Sequence, residues 1–273
     1  MIISKIEKQS KRANRYNLYV DGKFYLGIDE NILVKYALYK GLEVTPDRLA
    51  HIRYDEEVNK YYNQALNYLS YGLRTVNQMR QYLHKHLPQD RASREEDIEH
   101  ILNKLRDQAL VDDVYYGQAY VRTKMRINRK GPLLIEQELR QKGLNAEKIQ
   151  LALAEYPLAQ GQENLRHLAE KFTKKHRKLS RKMQSLKLNQ HLQSKGYPQD
   201  WIASVDYHDL LTNDVDDQEL VEAEATKLYQ RKSRIYQGNQ LKQIIRQNLY
   251  RKGFNQDDIE SCLQDHLDWF AEK

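Results

Sequence analysis

Asp112 and Asp113 form an adjacent carboxylate pair of the kind that could share acid–base work. They fall at the start of a predicted helix, where one or the other reads as an N-cap, its oxygen accepting an otherwise orphaned backbone N–H. His84 and His86 lie two apart on a predicted helix and point away from one another. Glu96 and His100 share a helical face, but the second histidine of a zincin motif is missing. Asn128-Arg129-Lys130-Gly131-Pro132 comes nearest to a phosphate loop, and Pro132 removes an N–H that such a loop needs. The chain has no CxxC, no Walker loop and no GxGxxG. Its single cysteine, Cys262, shares an apolar helical side with Ile259, Leu263 and Leu267 and reads as core. One cysteine excludes an intramolecular disulfide and suits a reducing compartment. The expectation is a protein that is not an enzyme, with no cofactor and no metal.

The chemistry on offer is cationic. Lys and Arg number 45 against 38 acids in 273 residues, a formal net charge of +7. These charges are sorted along the chain. Residues 171–195 hold nine bases and no acid, and 209–224 seven acids and no base. Residues 227–252 hold eight bases and no acid, and 122–142 seven bases against two acids. Basic charge thus recurs from the end of each predicted first helix through the second. Regular stacking would draw a positive stripe suited to an extended polyanion, or to a protein polymer on nucleic acid. Second helices of ~14 residues are ~20 Å long, so four in register would span ~80 Å.

The elements that must carry these charges are helices. A phrase recurs three times, as "LRQKGLNAEKI" (139–149), "LQSKGYPQDWI" (192–202) and "LYRKGFNQDDI" (249–259). Each reads as a helix stopped by Lys and a left-handed Gly, an apolar residue folding back, and an acid opening the next helix. Asn145 and Asn255 are the expected N-caps there. Gly143, Gly196 and Gly253 are 53 and 57 residues apart, and another 57 back falls at His86 in a helix end without the glycine. Four three-helix repeats follow, at 55–110, 111–157, 158–208 and 212–273. Thr75 with Gln78, and Ser93 with Glu96, predict capping boxes in the first. Residues 1–52 differ: "RYNLYVDGKFYLGI" brackets Asp21-Gly22, a hairpin signal, ahead of a short helix. The predicted fold is mainly α, with tandem helix-turn-helix-like repeats in an elongated curved solenoid and a small N-terminal β-hairpin region. Most of the 20 tyrosines are expected in thin helical cores with the hydroxyl reaching out. No stretch is apolar enough for a signal peptide or a membrane span, so a cytoplasmic location is expected.

"QALVDDVYYGQAYVR" followed by "RKGPLLIEQELRQKGL" resembles the central block of the bacterial RecX regulatory proteins. Leu110, Val111, Asp112, Asp113, Tyr116, Tyr120 and Val121 fit the first half of that pattern. Gly131, Pro132, Ile135, Glu138, Leu139, Lys142 and Gly143 fit the second. Upstream, Arg74-Thr75 matches an Arg-Ser pair, while Gly72 stands in place of an Arg and Gln78-Met79 in place of Glu-Leu. The likeness is to longer, Gram-positive-type members, with a fourth repeat added to the usual three.

The resemblance implies binding to the RecA recombinase filament on DNA; a monomer is expected. It further implies inhibition or modulation of the filament's ATPase, strand exchange and co-protease activity, and so a part in recombination, DNA repair and the SOS response. The contact residues expected from the charge pattern are Arg74, Arg122, Lys124, Arg126, Arg129, Lys130, Arg140 and Lys142. Behind them stand Lys174, Lys175, Arg177, Lys178, Arg181 and Lys182. The alternative is direct binding of single- or double-stranded DNA without RecA, since three helices with a glycine turn are also how helix-turn-helix modules are built.

Overall fold

The structure, a computed structural model, describes residues 1–10, 14–177, 179–211 and 217–270. Three antiparallel strands, β1 (Ile3–Lys8), β2 (Arg15–Val20) and β3 (Lys23–Asp29), pair in the order β1-β2-β3. The Asp21-Gly22 turn forms as predicted: φ is +48° and +79°, the doubly left-handed conformation that matches the strand twist. Strand β1 goes beyond the predicted hairpin. It pairs with β2, and its outer side is held by residues 41–44, through bonds such as Gly41 N–H to Ile3 O at 2.8 Å.

Helix α1 (Glu30–Lys35) is short and α2 (Pro46–Ser70) is long. Thr45 caps α2 and Pro46 fits its first turn, where a missing N–H costs nothing. The helix runs without a break across residues 52–55, where the sequence suggested a boundary. Leu49 and Ile52 near its start pack with the sheet; Val58, Tyr62 and Ala65 pack with α3 (Val76–His86) and α4 (Arg94–Asp107). Between the two cores, buried Glu56 accepts from Arg15 and from Asp29 N–H, each at 2.8 Å. Burial raises the Glu56 pKa, and Arg15 with the Asp29 N–H works against that rise.

The helices continue as α5 (Asp113–Arg126), α6 (Pro132–Gln141), α7 (Ala146–Leu153), α8 (Leu158–Lys175), α9 (Arg181–Ser194), α10 (Gln199–Ala203) and α11 (His208–Leu211). The last set is α12 (Asp217–Lys232), α13 (Gly238–Arg251) and α14 (Gln256–Asp265). The Cα framework divides into two compact units. One is Met1–Tyr116 with Lys142–Asn145; the other is Gly117–Gln141 with Ala146–Lys273.

The repeated Lys-Gly phrase is a helix stop and something more. Within the first unit, the Thr75 hydroxyl at the head of α3 donates to Lys142 O at 2.8 Å, and Gly143 sits so close that a Cβ would lie 2.4 Å from Asn77 Cβ. Within the second unit, the Ser180 hydroxyl at the head of α9 donates to Lys252 O at 3.2 Å. An acid completes each joint: Val76 N–H donates to Asp113 at 2.9 Å, and Arg181 N–H to Asp217 at 3.4 Å. The joint at the head of α6 is built differently. Gly131 N–H donates to Lys195 O at 2.7 Å and Leu133 N–H to Gly196 O at 3.0 Å. Here Pro132 stands where Val76 and Arg181 stand in the other two. It has no N–H, so no acid is needed. Gly131 does with its backbone what Thr75 and Ser180 do with a hydroxyl. Each Lys-Gly turn therefore docks onto the head of an earlier second helix.

Three local expectations differ. Ser93 sits at the N-cap of α4 but makes no cap bond, because its hydroxyl donates to buried Asp97 at 3.1 Å. Asp97 also collects the Tyr54 hydroxyl and Arg91. Asn255 occupies the α14 N-cap without a side-chain cap bond. Leu267, placed in the core by its spacing, is 57% exposed, since α14 ends at Asp265 and the helical phase is lost. Cys262 is buried as predicted, and burial followed by neighbouring Glu222 pushes its thiol up to about 12.

Candidate partner-binding surface

The two carboxylates of the Asp-Asp pair divide their labour, and neither is set up for catalysis. Asp112 caps its own helix, accepting from Val114 N–H (2.7 Å) and Tyr115 N–H (3.1 Å). Asp113 is buried and caps α3. The tyrosines are mixed. Tyr62, Tyr156 and Tyr197 are buried; the hydroxyls of the last two lie 3.2 Å apart and within 3.0 Å of the Lys130 and Arg129 carbonyls respectively, and each has one proton to share among these acceptors. Tyr71, Tyr115 and Tyr250 stand exposed.

The basic residues fall into two classes. Those of 122–142 are largely engaged inside the protein. Arg122 meets Glu155 at 3.1 Å, Lys130 meets Glu138, and Arg140 meets Glu136 at 2.7 Å. Glu138 also accepts from the Tyr120 hydroxyl at 2.8 Å, and Lys124 lies over that ring at 5.0 Å. Burial works to raise the Glu138 pKa, but Lys130 and Tyr120 bonding to the carboxylate outweighs it and the net shift is downward. Arg129 is half-buried with φ of +48°. Lys142 is half-buried beside the α3 joint, and Arg126 is exposed. Arg74 packs its guanidinium over Tyr68 at 4.6 Å, and Tyr68 stacks in turn on Tyr82 at 4.3 Å.

The second class lies around the corner from α8 to α9. Lys174, Lys175, Arg177, Arg181 and Lys182 are exposed, and none has a side-chain ion pair with an acid among the described residues. Lys178 lies outside the described residues. Lys171 and Lys187, omitted from the predicted contacts, are exposed on the same two helices. Lys174 and Lys175 at the end of α8 suit the negative pole of that helix. Arg181 and Lys182 do the reverse. They occupy the first turn of α9, at the positive pole, where the helix brings no acid of its own and Asp217 of α12 accepts from the Arg181 N–H. By contrast, α4 opens with Glu95, Glu96 and Asp97 and α14 with Asp257 and Asp258. Cations at that end are not favoured by the helix dipole.

The field is felt by its neighbours. His191 has its pKa lowered, first by burial and then by Lys195, His176 and Lys175. Phe172 lies between His176 (4.2 Å) and His191 (5.3 Å), giving the patch an aromatic floor. Beside it, a cleft of about 450 Å³ opens between Arg181, Lys182, His208, Asp217 and Asn255. The histidines and Phe172 are spread over 20 residues of sequence, so spacing alone could not gather them.

The description "Regulatory protein RecX N-terminal domain" matches residues 1–45, and that of the second RecX three-helix domain matches 112–153. The third three-helix domain matches twice, at 159–205 and 214–263. A regulatory protein RecX of Limosilactobacillus reuteri (strain DSM 20016) is 36% identical over 268 residues, covering 96% of this chain and 97% of that protein. The chain belongs to the RecX family of regulatory proteins. A RecX protein of Bacillus cereus (strain 03BB102) is 37% identical over 270 residues, with the same coverage. A crystal structure of regulatory protein RecX matches with a TM-score of 0.66 at 36% identity, covering 74% of this chain and 98% of the other. RecX from Lactobacillus salivarius matches with a TM-score of 0.51 at 34% identity, over 55% of this chain and 94% of that one. The double match makes the fourth repeat a second copy of the third type. Among the described residues no helix is long and apolar enough to cross a membrane.

Proposed function

We propose that this RecX-family chain binds the RecA recombinase filament on DNA and thereby modulates its ATPase, strand exchange and co-protease activity. The observation that carries the reading is the unpaired cationic corner between α8 and α9, with Arg181 and Lys182 at the positive pole of α9. A polyanionic filament attracts such a surface, and weak contacts from several repeats add through multivalency. No catalytic group is required, because a binder that prefers one filament state shifts the population toward it. Lys174, Lys175, Arg177, Arg181 and Lys182 are the principal contacts in this reading. Arg122, Lys130 and Arg140 are secondary, being already paired.

The test is RecA's DNA-dependent ATPase with and without the protein. The native chain lowers the rate, the Lys174→Gln/Lys175→Gln/Lys182→Gln variant needs several-fold more protein, and Arg140→Gln behaves as native. An ATPase indifferent to the native chain sinks the proposal. Lysines without acidic partners also suit bare phosphates, which favours direct DNA binding as a second reading. In that case single-stranded DNA alone binds as tightly as RecA-coated DNA, and the salt dependence falls by ~0.7 for each contact removed.

A further inference from the structure

Glu222 on α12 faces Cys262 on α14 and His266 at the C-cap of α14, inside the fourth repeat. Cys262 Sγ donates to one Glu222 oxygen at 3.3 Å, and His266 Nε2 bonds the other. Thiol, imidazole and carboxylate donor atoms lie within 4.8 Å of one another. We propose that these three side chains form a binding site for a thiolate-preferring divalent cation of the zinc type.

Four observations converge on it. Cys262 near the end of α14 and His266 at its C-cap both reach Glu222, which meets them from a second helix. The imidazole is pre-oriented: His266 stacks on Trp269 at 3.9 Å and 11°, and Trp269 stacks on Tyr229 at 4.5 Å. The site is reachable, since Cys262 is buried while Glu222 and His266 are half-buried. A cleft of about 270 Å³ adjoins it, lined by Glu219, Glu222, Asp258 and Asp265 and by no cation, in a chain of net charge +7.

Sulfur, nitrogen and oxygen ligands at this count match a tetrahedral ion with one position left for water or a cleft carboxylate. Without an ion, one carboxylate serves both a weak thiol donor and an imidazole, beside three more carboxylates. On binding, the thiol proton leaves to solvent, the metal–sulfur bond forms, and the ion clamps α12 to α14.

Cobalt(II) is the probe, because its thiolate charge-transfer absorption can come only from the one cysteine of the chain. Full-length protein freed of metal with a chelator takes up one Co²⁺ with that band, and Zn²⁺ displaces it. Cys262→Ser loses the band. His266→Gln and Glu222→Gln keep the thiol and weaken Co²⁺ binding by more than about tenfold. Circular dichroism of the metal-free variants matches that of the metal-free native chain. Absence of the charge-transfer band, or unchanged affinity in both His266→Gln and Glu222→Gln, overturns the site.

Discussion

Gly131→Ala isolates what the joint at the head of α6 contributes. Gly131 does not use a left-handed conformation, so alanine is allowed there by its own backbone. The obstacle is outside: a Cβ would lie 2.3 Å from the carbonyl carbon and oxygen of Gly196 and 2.5 Å from Tyr197 N. Those are backbone atoms beside a tyrosine only 1% exposed, and they cannot swing aside. Relief to normal contact needs a parting of roughly 1 Å. That parting breaks the bonds of 2.7 Å from Gly131 N–H and 3.0 Å from Leu133 N–H. Each loss costs ~1–2 kcal/mol, and the stiffer unfolded chain returns ~0.4–1 kcal/mol. The net destabilisation is about 1–3.6 kcal/mol, which makes local opening about 5- to 370-fold more frequent. Amide hydrogen exchange at Leu133 reads this directly, with thermal unfolding as a second measure. Gly22→Ala is the control. At φ of +79° with nothing within 4 Å of a new Cβ, it carries only backbone strain of about 1–2 kcal/mol and leaves Leu133 protected. Native protection at Leu133 in Gly131→Ala would refute the joint.

Asp113→Ala removes the cap from Val76 N–H and is expected to cost about 1–2 kcal/mol by thermal unfolding, whereas Asp112→Asn stays near native. An Asp113→Ala chain of native stability that no longer regulated its partner would make that carboxylate functional. His191 gives a pH readout of the basic corner. Its folded pKa lies below 6.5, so its contribution to stability is present above 6.5 and is lost as pH falls through the folded value. His191→Gln flattens that acid limb. When a polyanion covers Lys175 and His176 the opposing charge is screened, so the His191 pKa measured by NMR rises on adding single-stranded DNA or RecA-coated DNA. A His191 titration that ignores both would place the contact elsewhere.

Much of the architecture was legible because it is local. Thr75 and Gln78 form the predicted capping box, Asp21-Gly22 turns the hairpin, and the apolar spacing of Ile98, Ile101, Leu102 and Leu105 marks a buried face. Strand β1 was less visible, since its short run gains meaning only from the segments on either side. Ser93 shows how a cap signal fails: a buried Asp97 competes for the same hydroxyl.

Residue order alone makes the chain helical, repeated and sorted by charge, because capping, periodicity and composition act within a few residues. It could also show that Lys142-Gly143, Lys195-Gly196 and Lys252-Gly253 end helices. Only the tertiary structure decided that these turns dock onto the heads of other helices, since the partners lie 67 to 72 residues away or arrive through bare backbone. It likewise decided which cations are spent on internal acids and which remain at the α8–α9 corner, and it brought Glu222 to Cys262 across 40 residues. Whether two charges meet depends on distance in space, and that distance is set by packing.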